Sequence, residues 1–205
     1  MAILKKVRWL GHASFRIEGE KTVYIDPWKL KENQPAADLV LVTHSHYDHC
    51  SPGDIEKIQR PGTAIVTVSD CASQLSGDVR TVSPGGKVTV QGIEVEAVPA
   101  YNMDKQFHPK ANGWVGFIVT VDGTRIYHTG DTDLIPEMEK VKADLVLLPI
   151  GGTYTMNASE AAQAVEQIKP KTVIPMHYGD IVGSAADVER FKPLCNVPIE
   201  VLEAL

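Results

Sequence analysis

Thr43-His44-Ser45-His46-Tyr47-Asp48-His49 places three imidazoles and a carboxylate within six consecutive residues, His44 to His49. The stretch directly follows Leu39-Val40-Leu41-Val42, a short β-branched apolar run with Pro35 upstream, which reads as a buried strand. The histidines therefore begin where a strand ends. His44 and His46 lie two apart and would leave an extended backbone on the same side. Ser51-Pro52 marks a helix start, with serine as the cap and proline at the first helical position. Asp48 and His49 fall in the turn between that strand and that helix. Such a turn can present one pair of ligands to one metal ion and the other pair to a second. Imidazole and carboxylate suit zinc, manganese or iron. A polar loop of hydrogen-bonded histidines is the alternative, and it explains one histidine better than a cluster of them.

Composition bounds the rest. At 205 residues the chain sits at the upper end of one ordinary domain, so residues 1–205 are read as a single domain. Its 43% hydrophobic and 22% charged residues are those of a soluble globular protein. A formal charge of −6 and a pI near 5.6 argue against nucleic-acid binding through a basic surface. A small anionic substrate stays open, because a bound metal would supply local positive charge. No apolar run approaches the roughly 20 residues of a membrane span, and Met1 to Lys6 lacks a signal peptide's apolar centre. The three cysteines form no evident disulfide framework, so a reducing cytoplasm is the expected setting. Cys50 follows the cluster directly and is read as a buried thiol rather than a ligand. A homo-oligomer is compatible with all of this.

Read in order, Val7–Leu10, Ser14–Ile17 and Thr22–Ile25 are short strands, the last two joined through Gly19. After the cluster come a helix at Asp54–Gln59, a strand at Ala64–Val68 and a helical turn at Cys71–Leu75. Val79–Val82, Lys87–Val90 and Ile93–Val98 alternate as strands, and Tyr101–Gly113 is a polar loop. Trp114–Val121 and Arg125–His128 form a hairpin about Asp122-Gly123, followed by a strand at Asp144–Leu148. Asn157–Ile168 is a capped helix, Thr172–Met176 a strand, Ala185–Phe191 the last helix and Ile199–Leu202 an edge strand. A long-period echo runs through this order. Ala37-Asp38-Leu39-Val40-Leu41-Val42 recurs as Ala143-Asp144-Leu145-Val146-Leu147-Leu148, each after a hairpin and each before a loop, a capped helix and a strand. Two ββ-β-α-β halves imply two sheets face to face, helices outside, and a site where strand ends from both halves meet.

The second half also carries polar residues at its strand ends, His128-Thr129-Gly130-Asp131-Thr132 and Pro175-Met176-His177-Tyr178-Gly179. Asp131 follows a glycine that permits a sharp turn, so its carboxylate could reach and bridge two metals. Taken together, Thr-His-Ser-His-Tyr-Asp-His, Gly-Asp-Thr and Pro-Met-His-Tyr-Gly resemble the metallo-β-lactamase superfamily. Trp9-Leu10-Gly11-His12-Ala13-Ser14-Phe15, Ile25-Asp26-Pro27 and Pro149-Ile150-Gly151-Gly152 are similar to one branch of it. That branch holds ascorbate-6-phosphate lactonases, N-acylphosphatidylethanolamine phospholipase D and uncharacterised metal-dependent hydrolases. The resemblance runs from about Val7 to Gly179. It implies a four-layer αββα sandwich of the α/β class and two divalent metal ions, zinc or manganese, with iron also compatible. It implies His44 and His46 on the first metal, Asp48, His49 and His177 on the second, and Asp131 between them.

One position departs from the family pattern. A third first-site histidine is expected after a strand ending like Val98-Pro99-Ala100-Tyr101, and here that residue is Asn102. His108, six residues further along the loop, is the preferred replacement, with Asn102 as the rival. His12 and Asp26 are read as holding ligands in place, and His128 as structural. Tyr154 and Thr153 could either line a substrate pocket or lie in an ordinary polar loop.

The implied activity is metal-dependent hydrolysis of a small ester, lactone or phosphodiester. A metal-bridging hydroxide, whose pKa coordination lowers towards ~7, would attack the substrate, with Asp48 or Asp131 orienting it. Gly-X-Ser-X-Gly is absent, so a serine hydrolase of the elbow type has no support. The alternative is a metal-holding sensor or structural protein that keeps the ligands without turnover.

Overall fold

The computed structural model describes all 205 residues. The first half forms a sheet from β1 (Val7–Gly11), β2 (Ser14–Glu18), β3 (Thr22–Ile25), β4 (Leu39–Leu41), β5 (Ala64–Thr67) and β6 (Asp78–Thr81), neighbours in that order. The second half forms another from β7 (Lys87–Val90), β8 (Ile93–Pro99), β9 (Val115–Val121), β10 (Thr124–His128), β11 (Leu145–Pro149) and β12 (Thr172–Met176). The helices are α1 (Pro52–Ile58), α2 (Ser69–Ala72), α3 (Ala158–Ile168) and α4 (Ala185–Phe191). Together they make the αββα sandwich.

The echo in sequence is an echo in topology. β2 and β3 pair antiparallel, then β4 and β5 add parallel. β9 and β10 pair antiparallel, then β11 and β12 add parallel. Every residue of β4, β5, β11 and β12 is buried, as strands covered on both faces must be. This explains why those runs read as continuously apolar rather than alternating. One cluster of 58 buried hydrophobic residues runs from Ile3 to Phe191 through both halves. The helix over the second sheet begins at a capping box. Asn157 Oδ1 accepts from the amides of Ser159 and Glu160, and Glu160 Oε2 accepts from the amide of Asn157.

The structure corrects the expectation at the C-terminus. Ile199–Leu202 forms no strand, only an isolated parallel bridge between Ile199 and Val173. The Val173 amide donates to the Pro198 carbonyl and the Glu200 amide to the Val173 carbonyl. The next donor along β12 would be Pro175, which has no N–H for the Glu200 carbonyl, so the ladder stops there. The helical turn expected from Cys71 begins earlier, at Ser69. No helix is long and apolar enough to cross a membrane.

The parallel strands have one consequence for the site. Their carboxyl ends all face one edge of the sandwich, where ligands gather in open α/β sheets. β3 delivers Asp26 there, β4 the histidine cluster, β10 Asp131 and β12 His177. Thr43 accepts at its carbonyl from the amide of Val115, which ties the two sheets together beside that edge.

Candidate metal centre

Asp26 organises the cluster. It is fully buried at the end of β3, with a left-handed backbone (φ +46°). Its Oδ1 accepts from the Thr43 amide at 2.8 Å, and its Oδ2 from the Thr43 hydroxyl at 2.7 Å. Oδ2 also accepts from His49 Nδ1 at 2.7 Å. The Thr43 hydroxyl, having donated to Asp26, accepts from His44 Nδ1 at 2.9 Å. Both imidazoles are thereby fixed with Nδ1 as the donor and Nε2 turned into the site. His46 presents its other nitrogen. Its Nδ1 lies 3.2 Å from His44 Nε2 and 3.2 Å from His108 Nε2.

The loop 101–113 brings His108 back to this point, buried and with φ +59°. Asn102 does not enter the cluster; it secures the loop instead. Its amide nitrogen Nδ2 donates to the carbonyls of Phe107 and Tyr154 at 2.9 and 2.7 Å. With both amide hydrogens committed, Asn102 cannot also donate to His108 Nδ1. That nitrogen donates to the Tyr154 carbonyl at 3.2 Å, which leaves Nε2 free as an acceptor. The Asn102 backbone amide also donates to the His108 carbonyl.

Asp131 sits between the two groups of histidines. Its Oδ2 is 3.0 Å from His177 Nε2 and 3.4 Å from His108 Nε2, and its Oδ1 is 3.4 Å from His49 Nε2. Gly130 makes the approach possible, because at φ +65° a Cβ would lie 2.8 Å from the Val115 carbonyl oxygen. His177 also has a left-handed backbone (φ +57°), and its amide donates to the carbonyl of His12. His12 Nε2 lies 3.1 Å from Asp48 Oδ2, and its ring packs on that of His177 with centroids 3.9 Å apart. His12, Asp26, His108 and His177, all in left-handed conformations, place backbone strain where the polar groups converge. His128 stands apart, donating from Nε2 to the Ala13 carbonyl and accepting at Nδ1 from the Gly130 amide.

The local field is set by burial and pairing. Burial alone would raise the Asp131 carboxyl, but His177 and His49 beside it hold it well below the usual carboxylate range. Asp48 is likewise lowered, burial being outweighed by the His12 hydrogen bond and by His49. Burial pulls His44 well below the usual imidazole range, and takes His108 down to about 4. His49 moves the other way, since Asp131 and Asp26 flank it and overcome its burial.

Buried polar atoms without partners are rare in folded proteins. His12 Nδ1 and His177 Nδ1 are two such atoms, and His49 Nε2 and Asp131 Oδ1, 3.4 Å apart, have only each other. Three sets of side chains bring donor atoms within 4.8 Å of one another: His44, His46 and His108; His44, His49 and Asp131; and His12, Asp48, His49 and His177. Imidazole nitrogens with fixed tautomers and ionised carboxylates are the donors that zinc, manganese and iron take. The residues fit a divalent metal.

Above the cluster lies a cavity of about 220 Å³. His46, Asp48, His108, Asp131 and His177 form its floor, and Tyr47, Phe107, Tyr154 and Ile181 its walls. Thr153 is exposed and lines none of it. The four-residue wall was legible in sequence only at Tyr154, because Phe107 and Ile181 occur in loops that no periodicity marks. Asp133 has no motif or periodicity in sequence to mark its role. It is buried, pairs with Lys105 and accepts from the Met103 amide, holding the loop that carries His108.

An αββα sandwich with an imidazole–carboxylate cluster at its strand ends defines a metal-binding protein of the metallo-β-lactamase fold. The chain belongs to the β-lactamase superfamily, whose family model ("Beta-lactamase superfamily domain") matches residues 6–177, and within it to the UPF0173 metal-dependent hydrolases. A UPF0173 metal-dependent hydrolase of Pyrococcus abyssi is 42% identical over 96% of this chain and 95% of its own. The crystal structure of a candidate metal-dependent hydrolase from Parabacteroides distasonis superposes with a TM-score of 0.88 at 30% identity, covering 97% of this chain and 93% of that one. A candidate zinc-dependent hydrolase of the metallo-β-lactamase superfamily from Thermotoga maritima shares the fold, with a TM-score of 0.66 at 24% identity over 96% and 97% of the two chains.

Proposed function

We propose that residues 1–205 form one hydrolase domain that cleaves a small ester, lactone or phosphodiester at a centre of two divalent metal ions. Zinc or manganese suits the donors best, and iron is compatible. In this reading His44, His46 and His108 hold the first ion, Asp48, His49 and His177 the second, and Asp131 lies between them. The convergence of three sets of imidazole and carboxylate donors, each within 4.8 Å, carries the proposal. Free cysteines at Cys50, Cys71 and Cys195 support a reducing, cytoplasmic setting.

Divalent ions at such a centre supply Lewis acidity and lower the pKa of water towards ~7. The protein's own groups do the positioning. Asp26 and Thr43 hold His49 and His44 in one tautomer, and the Tyr154 carbonyl does the same for His108. His12 fixes the Asp48 carboxylate at Oδ2. Asp48 and Asp131 stay ionised at neutral pH, so each can accept a hydrogen bond from an attacking water and orient it towards the cavity.

Metal analysis of the purified chain should return up to two transition-metal ions. Asp131→Ala should keep the fold while losing metal affinity and turnover together. Undiminished hydrolysis by chelated, metal-free protein would refute the proposal. Folded protein that binds metal yet turns over nothing in a broad panel would instead identify a metal sensor.

A further inference from the structure

The walls of the cavity say what kind of substrate enters it. Eight large hydrophobic residues of the chain are exposed, and Met1, Leu194, Val201 and Leu205 belong to its terminal segments. Of the other four, Tyr47, Phe107 and Ile181 line this one cavity, and Met103 lies on the same loop as Phe107. Exposed apolar side chains gathered at one concave site mark a binding surface rather than chance. The aromatic groups are ordered in pairs. Phe107 meets Tyr154 edge-on at 4.9 Å and 80°, and Tyr47 meets Trp28 at 6.0 Å and 71°.

Ile181 adds a second observation. Its backbone is left-handed (φ +64°), a conformation that β-branched residues strongly disfavour. The turn is held by a hydrogen bond from the Val182 amide to the Asp180 carbonyl at 2.7 Å, and by the Lys29–Asp180 ion pair at 2.6 Å. The fold keeps a strained isoleucine where glycine would fit better, and the residue is 47% exposed at the cavity.

Charge is the third. No lysine or arginine lines the cavity. The cations near it are already neutralised: Lys29 by Asp180, and Lys105 by Asp133. A phosphate or carboxylate remote from the reacting centre would find no partner here, and desolvating it unpaired would be costly. The cavity's 220 Å³ is also below the usual range for drug-sized ligands of ~300–1,000 Å³.

We infer that the non-reacting group of the substrate is a small, uncharged alkyl or aryl group seated between Ile181 and the Phe107–Tyr154 pair. The sequence left an anionic substrate open, and the cavity walls turn the reading away from one. The inference rests on the hydrolase reading above and refines its substrate class.

Zinc-loaded protein should be assayed with p-nitrophenyl acetate, butyrate and hemisuccinate. At ~0.8 kcal/mol per buried methylene, the step from acetate to butyrate should raise kcat/KM on the order of tenfold. The hemisuccinate, of similar length but charged, should fall at or below the acetate. Ile181→Gly relieves the backbone strain and so should keep the fold, yet it should erase the gain of butyrate over acetate. A hemisuccinate hydrolysed as well as the butyrate, or a gain that survives Ile181→Gly, overturns the inference while leaving the hydrolase reading intact. If nothing is hydrolysed, calorimetric binding of N-phenylbutanamide against N-phenylsuccinamate decides. Tighter binding of the uncharged amide, lost in Ile181→Gly, upholds the inference although the hydrolase reading falls. Equal or tighter binding of the anion, or binding of neither, overturns it.

Discussion

Asp26 shows how much one buried carboxylate can organise. It accepts three hydrogen bonds, from the amide and hydroxyl of Thr43 and from His49 Nδ1. Asp26→Asn would put an NH₂ where one oxygen accepts, setting a donor against His49 or Thr43. Losing a partner behind a metal ligand typically costs ~10–100-fold in affinity, and a competitive zinc titration should show a fall of that order. Asn102 and His108 divide their labour in a similar way. The amide of Asn102 is spent on two backbone carbonyls, so the imidazole, not the amide, reaches His46. His108→Ala should therefore weaken one metal site sharply, whereas Asn102→Ala should weaken it less, by loosening the loop. If His108→Ala leaves both occupancies unchanged while Asn102→Ala empties one, the assignment of His108 is wrong. The identities of these residues were readable from the chain; the direction of each ring nitrogen was not, since that depends on partners far away in sequence.

At the scale of elements, the loop 101–113 is the piece that sequence describes least well. Its composition marks it as polar and irregular, and it contains only a short 3₁₀ turn at Lys110–Asn112. What stiffens it comes from elsewhere: Asp133 takes the Met103 amide and the Lys105 ammonium, and the Tyr101 amide donates to the Thr132 hydroxyl. Asp133→Ala should leave far-UV circular dichroism unchanged but speed proteolytic cleavage within residues 101–113. It should also raise KM, because Phe107 and His108 ride on the same loop. Cleavage at the wild-type rate would show that the loop does not depend on Asp133. The strands behave differently. β4 and β11 were legible because an apolar run flanked by turn residues leaves few alternatives. The expected strand at Ile199–Leu202 failed because β12 offers it Pro175, which lacks the N–H that the next bond of the ladder needs.

For the whole molecule, the cluster couples stability to metal and to pH. Burial lowers the imidazoles of His12, His44, His46, His108 and His128, while His49 alone is raised. A lowered histidine stays neutral in the folded state while the unfolded chain takes up protons below pH ~6.5. Its contribution is full above that pH and is lost as pH falls towards the folded value, about 4 for His108. His49 works in the opposite sense, contributing most below pH ~6.5, but it is outnumbered. The metal-free protein should therefore lose thermal stability between pH 6.5 and 4. The metal-loaded protein should begin higher and lose more over the same range, since its histidines bind metal only when deprotonated. Melting curves with and without chelator across that window test this. A flat profile for the metal-free protein would mean that these histidines do not differ between the folded and unfolded states.

Local sequence was sufficient for the repeated strand–loop–helix pattern and for the chemistry of the cluster. Both rest on neighbours along the chain: apolar runs select buried strands, and a dense set of imidazoles and carboxylates has few roles other than binding metal. Tertiary structure alone decided which atoms converge. Asp131 and His177 reach the cluster only because two parallel arrangements face each other and turn their strand ends to one edge. The apolar walls depend on the same closure. Phe107, Tyr154 and Ile181 lie on separate loops, and no local pattern could announce that packing would gather them around one charged floor.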